Sequence, residues 1–192
     1  MARKALSRER LVEEAWEMID ELSLRRFSLR ALASRLNVQV SSLYNHIPNE
    51  DVLLTEVGLR VIDQIAEFVT EATRGKTGEE ALLALADAYR EYANAHPWPY
   101  GLVLGASRLR IPAVESAASK VVRPILDVIS QFGIGEGKLQ IHFLRMLRSV
   151  MCGFVIYEHC GSFTGVNVSK DETYHFILQS IASEIRAQAQ NQ

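Results

Sequence analysis

Apolar residues in this chain recur at intervals of three and four along its whole length, and period-two alternation is nowhere sustained. That spacing gathers them on one face of successive helices and leaves nothing to build a sheet. The expected fold is therefore all-α. With 48% hydrophobic residues among 192, there is enough apolar surface for one or two compact domains with real cores.

The helix boundaries follow from local chemistry. Ser7 is placed to cap a first helix that ends near Leu22, with Leu11, Ala15, Met18, Ile19 and Leu22 as its stripe. Ser28 caps a short second helix bearing Leu29, Leu32, Ala33 and Leu36, and Asn37, which tolerates the left-handed conformation, closes it. After Asn37-Val38-Gln39 a further short helix is expected over Val40 to His46, stopped by Pro48. Asn49 caps a long fourth helix to about Thr73, broken by Arg74-Gly75-Lys76-Thr77-Gly78. Further helices are expected over Glu79 to Ala95, Tyr100 to Leu109, Ala113 to Phe132 with a kink or split at Pro124, Lys138 to His159, and Lys170 to about Gln188.

Charge divides the chain. Its formal net charge is −2, yet residues 1 to 48 carry eight Lys/Arg against six Asp/Glu and the remainder thirteen against seventeen. A small basic head on an acidic body is the consequence, with domains 1–48 and 49–192. No uncharged apolar run reaches the roughly 18 residues of a membrane span, and the charged start lacks the apolar segment of a signal peptide. A cytoplasmic location and no membrane partner are expected. Cys152 and Cys160 lie about 12 Å apart along one helix, too far for a disulfide within it; they read as buried small hydrophobes or free thiols.

Catalytic chemistry finds no support. Cys152 and His159 are separated by about 10 Å of helix, beyond hydrogen-bond reach. The five histidines show no metal-ligand spacing with the cysteines, and Gly75 to Gly78 lacks the phosphate-loop pattern. No enzyme activity, cofactor or metal is expected.

Residues 28 to 46 instead have the form of a helix-turn-helix. In the second helix Leu43 and Ile47 can pack inward, which turns Ser41, Ser42, Asn45 and His46 outward. Small hydroxyls approach phosphates or base edges closely, Asn pairs with a base, and Tyr44 can give its hydroxyl to a phosphate while its ring packs.

The pattern Leu32-Ala33-x-x-Leu36-x-Val38-x-x-x-x-Leu43-Tyr44-x-His46-Ile47-x-x-x-x-x-Leu53 resembles the signature of the tetracycline-repressor (TetR) family of bacterial transcription regulators, over about the first 55 residues. The resemblance implies a three-helix DNA-binding head joined through the fourth helix to a larger helical ligand-binding and dimerising body. Carried over position by position, Ser28 would touch a phosphate, and Val40, Ser41, Ser42, Tyr44, Asn45 and His46 would face DNA. Two positions depart from the pattern: Asn37 stands where Gly is usual, and Glu50 where a phosphate-binding Lys is frequent. Backbone contacts then fall to Arg3, Lys4, Arg8, Arg30 or others.

In the body, His96-Pro97-Trp98-Pro99 and Gly153-Phe154-x-x-x-Glu158-x-x-Gly161-x-Phe163 resemble a subgroup whose C-terminal domain is named for a Trp-His-Gly motif, although Cys152 and Arg148 replace the usual His and Trp. Candidate pocket walls are Trp98, Tyr100, Leu104, His142, Phe143, Met146, Met151, Phe154 and Tyr157, because apolar pockets need large adaptable side chains with a few polar handles. Each of these residues also reads as ordinary core. The family resemblance implies dimerisation through Lys138 to His159 and Lys170 to Gln188. Together these readings imply a homodimeric regulator, a repressor rather than an activator, that binds a pseudo-palindromic operator and is released by a small hydrophobic or aromatic effector. The competing expectation is a helical small-molecule-binding protein that makes no specific contact with DNA.

Overall fold

The computed structural model describes residues 5–109, 112–165 and 167–191, and every regular element among them is helical. In order these are α1 (Arg8–Leu22), a 3₁₀ turn (Leu24–Arg26), α2 (Leu29–Leu36), α3 (Val40–Leu43), α4 (Glu50–Thr73), α5 (Gly78–Ala95), α6 (Pro97–Leu109), α7 (Pro112–Ala117), α8 (Ser119–Ser130), α9 (Lys138–His159) and α10 (Lys170–Gln190).

The caps form where local chemistry places them. Ser7 Oγ accepts from Arg10 N–H and Ser28 Oγ from Ala31 N–H, each at 3.2 Å, while Asn49 Oδ1 accepts from Val52 N–H at 2.9 Å. Ser169 and Glu172 make a reciprocal capping box at the start of α10. Three expectations need correction. α3 is one regular turn followed by a tightened turn in which His46 N–H bonds Leu43 O at 2.9 Å, because Pro48 withdraws Ile47 from the helical region. The segment expected over Ala113 to Phe132 divides between Ala117 and Ser119, while Pro124 stays inside α8. The chain therefore breaks at Ala118, six positions ahead of Pro124, and not at the proline. α6 begins at Pro97 rather than Tyr100, as proline suits a first helical position.

Two compact units arise. The first comprises the chain up to Asp63 together with His96–Ala118, and the second Gln64–Ala95 with Ser119–Gln192. The first extends past residue 48 because Leu53 and Val57 of α4 complete a core made by Leu11, Ile19, Leu32, Leu36, Leu43 and Ile47, against which Leu102 of α6 also packs. His96 joins α1 in this unit: its Nδ1 lies 2.9 Å from Asp20 Oδ2 and its ring 5.0 Å from that of Trp16.

The second unit is built on α5, α8, α9 and α10, with Leu82, Leu85, Ile129, Leu147, Met151, Val155, Leu178 and Ile185 buried. A polar knot crosses it. Arg90 donates to Glu158 at 2.7 and 2.8 Å and to Asp171 at 2.7 Å, and its guanidinium lies over the rings of Phe154 and Tyr174. Tyr174 donates its hydroxyl to Ala86 O at 3.0 Å, and burial pushes that phenol above its ordinary range. By length and composition α9 is apolar enough to cross a membrane, but Phe143, Leu144, Leu147, Met151, Phe154 and Val155 are its buried face in this unit. Cys152 and Cys160 are free, the former partly buried with Sγ 3.1 Å from the Tyr89 hydroxyl.

Candidate nucleic-acid interface

The interface is built by burying half of a short helix. Leu43 is fully buried and Ile47 nearly so, packed with Leu32, Ala33 and Leu36. The two motif helices meet through a tight exit at Asn37, which holds φ 53° and ψ 52°, while Val38 N–H returns to Ala33 O and Asn37 N–H to Ser34 O, both at 3.0 Å. Asn fits here because its side chain tolerates a left-handed backbone. Asn37→Ala is expected to cost about 1 kcal/mol and Asn37→Gly to be neutral or slightly stabilising, as read from urea unfolding of the two variants.

With Leu43 fixed inward, the opposite face is open. Ser41 and Asn45 are exposed, Tyr44 is 52% exposed, and Val40, Ser42 and His46 are partly so. Ser28 is partly buried, and its oxygen is engaged by the Ala31 N–H while its proton remains available. Ser28, Arg30 and the residues from Val40 to His46 thus lie within one motif, while Arg8 lies on α1 and Arg3 and Lys4 lie outside the described residues.

The cations are less available than their number suggests. Arg8 is bound by Glu56 through Nε at 2.8 and 2.9 Å, a pair that a phosphate contact at Arg8 would have to displace. Arg35 is held by Glu14, Glu17 and Glu21 at 3.2, 3.2 and 2.6 Å, and the hydrogen bond from Arg35 keeps the Glu21 carboxyl below its ordinary range. Glu50 and Asp51 occupy the first turn of α4. Arg30 is exposed on α2, with no acidic partner among the described residues. Arg25 and Arg26, in the 3₁₀ turn before α2, share that condition. Sequence reasoning does not single them out, because ion pairing across 14 to 48 positions leaves no local signal.

The expected pocket walls fall in both units. Trp98, half-exposed, buried Tyr100 and partly buried Leu104 belong to the first. In the second, Phe143, Met151 and Phe154 are buried, Met146 is partly so, and His142 and Tyr157 are exposed. His142 borders an open cavity of about 730 Å³ with Arg123, Ile141 and Arg145. Phe154 borders a smaller one of about 180 Å³ with Phe163, Val168 and Thr173.

Residues 82–181 match the tetracyclin repressor-like C-terminal domain. The chain belongs to the TetR family. Its relatives include the uncharacterized HTH-type transcriptional regulator Rv0681 of Mycobacterium tuberculosis, 32% identical over 81% of this chain and 72% of that protein. The uncharacterized HTH-type transcriptional regulator YobS of Bacillus subtilis is 31% identical over 96% and 91%. Among solved structures, the TetR-family regulator SCO7222 of Streptomyces coelicolor shares the fold with a TM-score of 0.77 at 19% identity, covering 95% of this chain and 99% of that one. ActR of the same organism, in complex with (S)-DNPA, superposes with a TM-score of 0.69 at 18% identity, covering 96% and 99%. This TetR-family chain is thus a helix-turn-helix transcription regulator, and its relatives are regulators rather than enzymes.

Proposed function

We propose that the chain acts as a cytoplasmic homodimeric repressor that binds a pseudo-palindromic DNA operator and releases it when a small hydrophobic or aromatic effector occupies the body. The observation that carries the DNA-binding part is the two-faced third helix, with Leu43 buried and Ser41, Tyr44 and Asn45 presented to solvent. A helix of this kind reads base edges with its polar face while its apolar face holds it to the head.

Dimerisation is supported by apolar side chains left uncovered on α9 and α10: Ile141 and Ile156 on the former, and Phe176, 70% exposed, on the latter. A two-fold axis relating these helices makes an isologous four-helix contact. The effector reading draws on the large apolar side chains of the body and on the ligand complex of ActR. Release follows if the effector binds preferentially to an arrangement in which the two recognition helices no longer sit one DNA turn, about 34 to 36 Å, apart.

The engagement of Arg8 and Arg35 by acids, with Glu50 at the start of α4, favours a second reading in which the helical body binds ligand and the head has no specific DNA contact. A salt series of binding to the DNA flanking the coding region separates the two. Specific binding that weakens as salt rises supports the regulator; no binding by ligand-free dimer at low salt supports the second reading.

A further inference from the structure

We infer that Arg25 and Arg26, in the 3₁₀ turn ahead of the motif, are phosphate-binding positions that anchor the head on the DNA backbone. The inference rests on the DNA-binding reading above and adds the residues that carry its electrostatic part.

Among the described residues, most other cations of the head are already engaged. Arg8 is clamped by Glu56, Arg10 lies 3.8 Å from Glu14, and Arg35 is surrounded by Glu14, Glu17 and Glu21. Arg60 lies 3.8 Å from Glu13, with its guanidinium over the Trp16 ring. These pairs neutralise most of the head's excess positive charge on the α1 side. Arg25, Arg26 and Arg30 are exposed and have no acidic partner among the described residues. They stand within six positions of one another, on either side of Ser28.

The turn that carries the pair is fixed rather than loose. Ser23 takes φ 75°, a conformation uncommon outside glycine. Arg26 N–H bonds Ser23 O at 3.1 Å and Phe27 N–H bonds Leu24 O at 3.2 Å. Phe27 then buries its ring in the head core. Both arginines are therefore displayed from a turn pinned at each end, directly before the Ser28 cap and the motif's first helix. The backbone part of the ordering cost is thus already met, and a contact has only the two side chains left to order. A guanidinium meets phosphate oxygens with two parallel N–H donors, a geometry a lysine lacks. Arg30, in the first turn of α2, extends the same cationic edge.

Fluorescence anisotropy with a mixed-sequence duplex of about 40 base pairs, over roughly 50 to 200 mM salt, tests this without knowledge of the operator. Removing one phosphate contact makes the slope of log affinity against log salt shallower by about 0.9. The double variant Arg25→Gln/Arg26→Gln is expected to lower that slope by about 2 to 4 in a dimer with two heads, and to bind at least tenfold more weakly at the low-salt end. Arg74→Gln, which removes the same charge from the second unit, should keep the wild-type slope. The exposed positions of Arg25 and Arg26 predict an unchanged melting curve, which is recorded alongside. An unchanged slope in the double variant overturns the inference, as does an equally shallow slope in Arg74→Gln. Wild-type affinity for the DNA flanking the coding region that is no higher than for this duplex contradicts the operator reading but leaves the arginine assignment standing. Absence of wild-type binding at all salts contradicts both.

Discussion

Tyr44→Ala and Asn45→Ala are each expected to weaken operator binding by about 1–3 kcal/mol per half-site, roughly 5- to 150-fold, while the protein remains a folded dimer. The physical reason lies in the division of α3 and the turn after it. Leu43 and Ile47 are buried and hold the segment to the head, so trimming their exposed neighbours removes contacts to DNA and not to the core. Asn45 is the residue best suited to base discrimination, because its amide presents a donor and an acceptor together. Asn45→Ala should therefore relax sequence preference as well as affinity. Tyr44, with 52% of its surface exposed, can give a phosphate its hydroxyl; Tyr44→Phe, which keeps the ring, should retain the fold and reproduce most of the weakening seen in Tyr44→Ala. Affinity by anisotropy and mass by sedimentation on the same samples check both statements. Unchanged affinity in both alanine variants contradicts the groove assignment.

The largest effect on stability is expected at Arg90. Its guanidinium joins α5 to Glu158 of α9 and Asp171 of α10, and the Glu158 side chain is only 6% exposed. Arg90→Leu leaves that carboxylate buried with only Asn94 and Lys170 nearby, at 3.3 and 3.5 Å. A broken buried pair of this kind costs about 3–5 kcal/mol, mostly through the charge left behind. The double variant Arg90→Leu/Glu158→Leu should recover much of that stability, since apolar replacements of both partners are often close to neutral. Differential scanning calorimetry of the two variants gives the comparison. If the single and double variants melt alike, the knot is not an interacting unit.

The same knot sets a pH dependence. Burial raises the Glu158 pKa, but the hydrogen bonds from Arg90 and Asn94 outweigh it and hold the carboxyl below its ordinary value of 4.5. A group whose folded value is depressed binds protons more readily when unfolded, so its contribution is present above the unfolded value and lost as pH falls through the folded one. Melting temperature should accordingly decline below about pH 4.5, and less steeply in the double variant.

Much of the fold could be read locally because its signals are local. Ser7, Ser28 and Asn49 cap the helices that follow them, and Asn37 closes α2 in the left-handed region, as their side-chain chemistry requires. The inward direction of Leu43 and Ile47 follows from their four-residue spacing, which also exposes Asn45 and Tyr44. What could not be read was which charges meet. Arg8 finds Glu56 across 48 positions and Arg90 finds Glu158 across 68, so neither pairing leaves a local signal. Arg25 and Arg26 gain significance only once their neighbours' partners are known. The split ahead of α8 falls six positions before Pro124, where the sequence carries no proline or glycine to mark it.

The net charge of −2 takes on a different meaning in this structure. Acids on α1 pair with several head cations, so among the described residues the positive charge left unpaired in the head lies at Arg25, Arg26 and Arg30. Under the proposed function, few phosphate contacts per head would make each half-site weak. Joint engagement of two half-sites by a dimer would then supply the affinity, through a raised effective concentration.

The most direct test of sequence-specific operator binding is selection by ligand-free protein from a pool of duplexes randomised over about 40 base pairs, followed by sequencing of the bound fraction. The expected result is an enriched two-fold-symmetric sequence with half-sites about one helical turn, or a multiple of it, apart, and its disappearance when Asn45→Ala performs the selection. A folded wild-type dimer that returns the input pool unenriched would contradict operator recognition by this head.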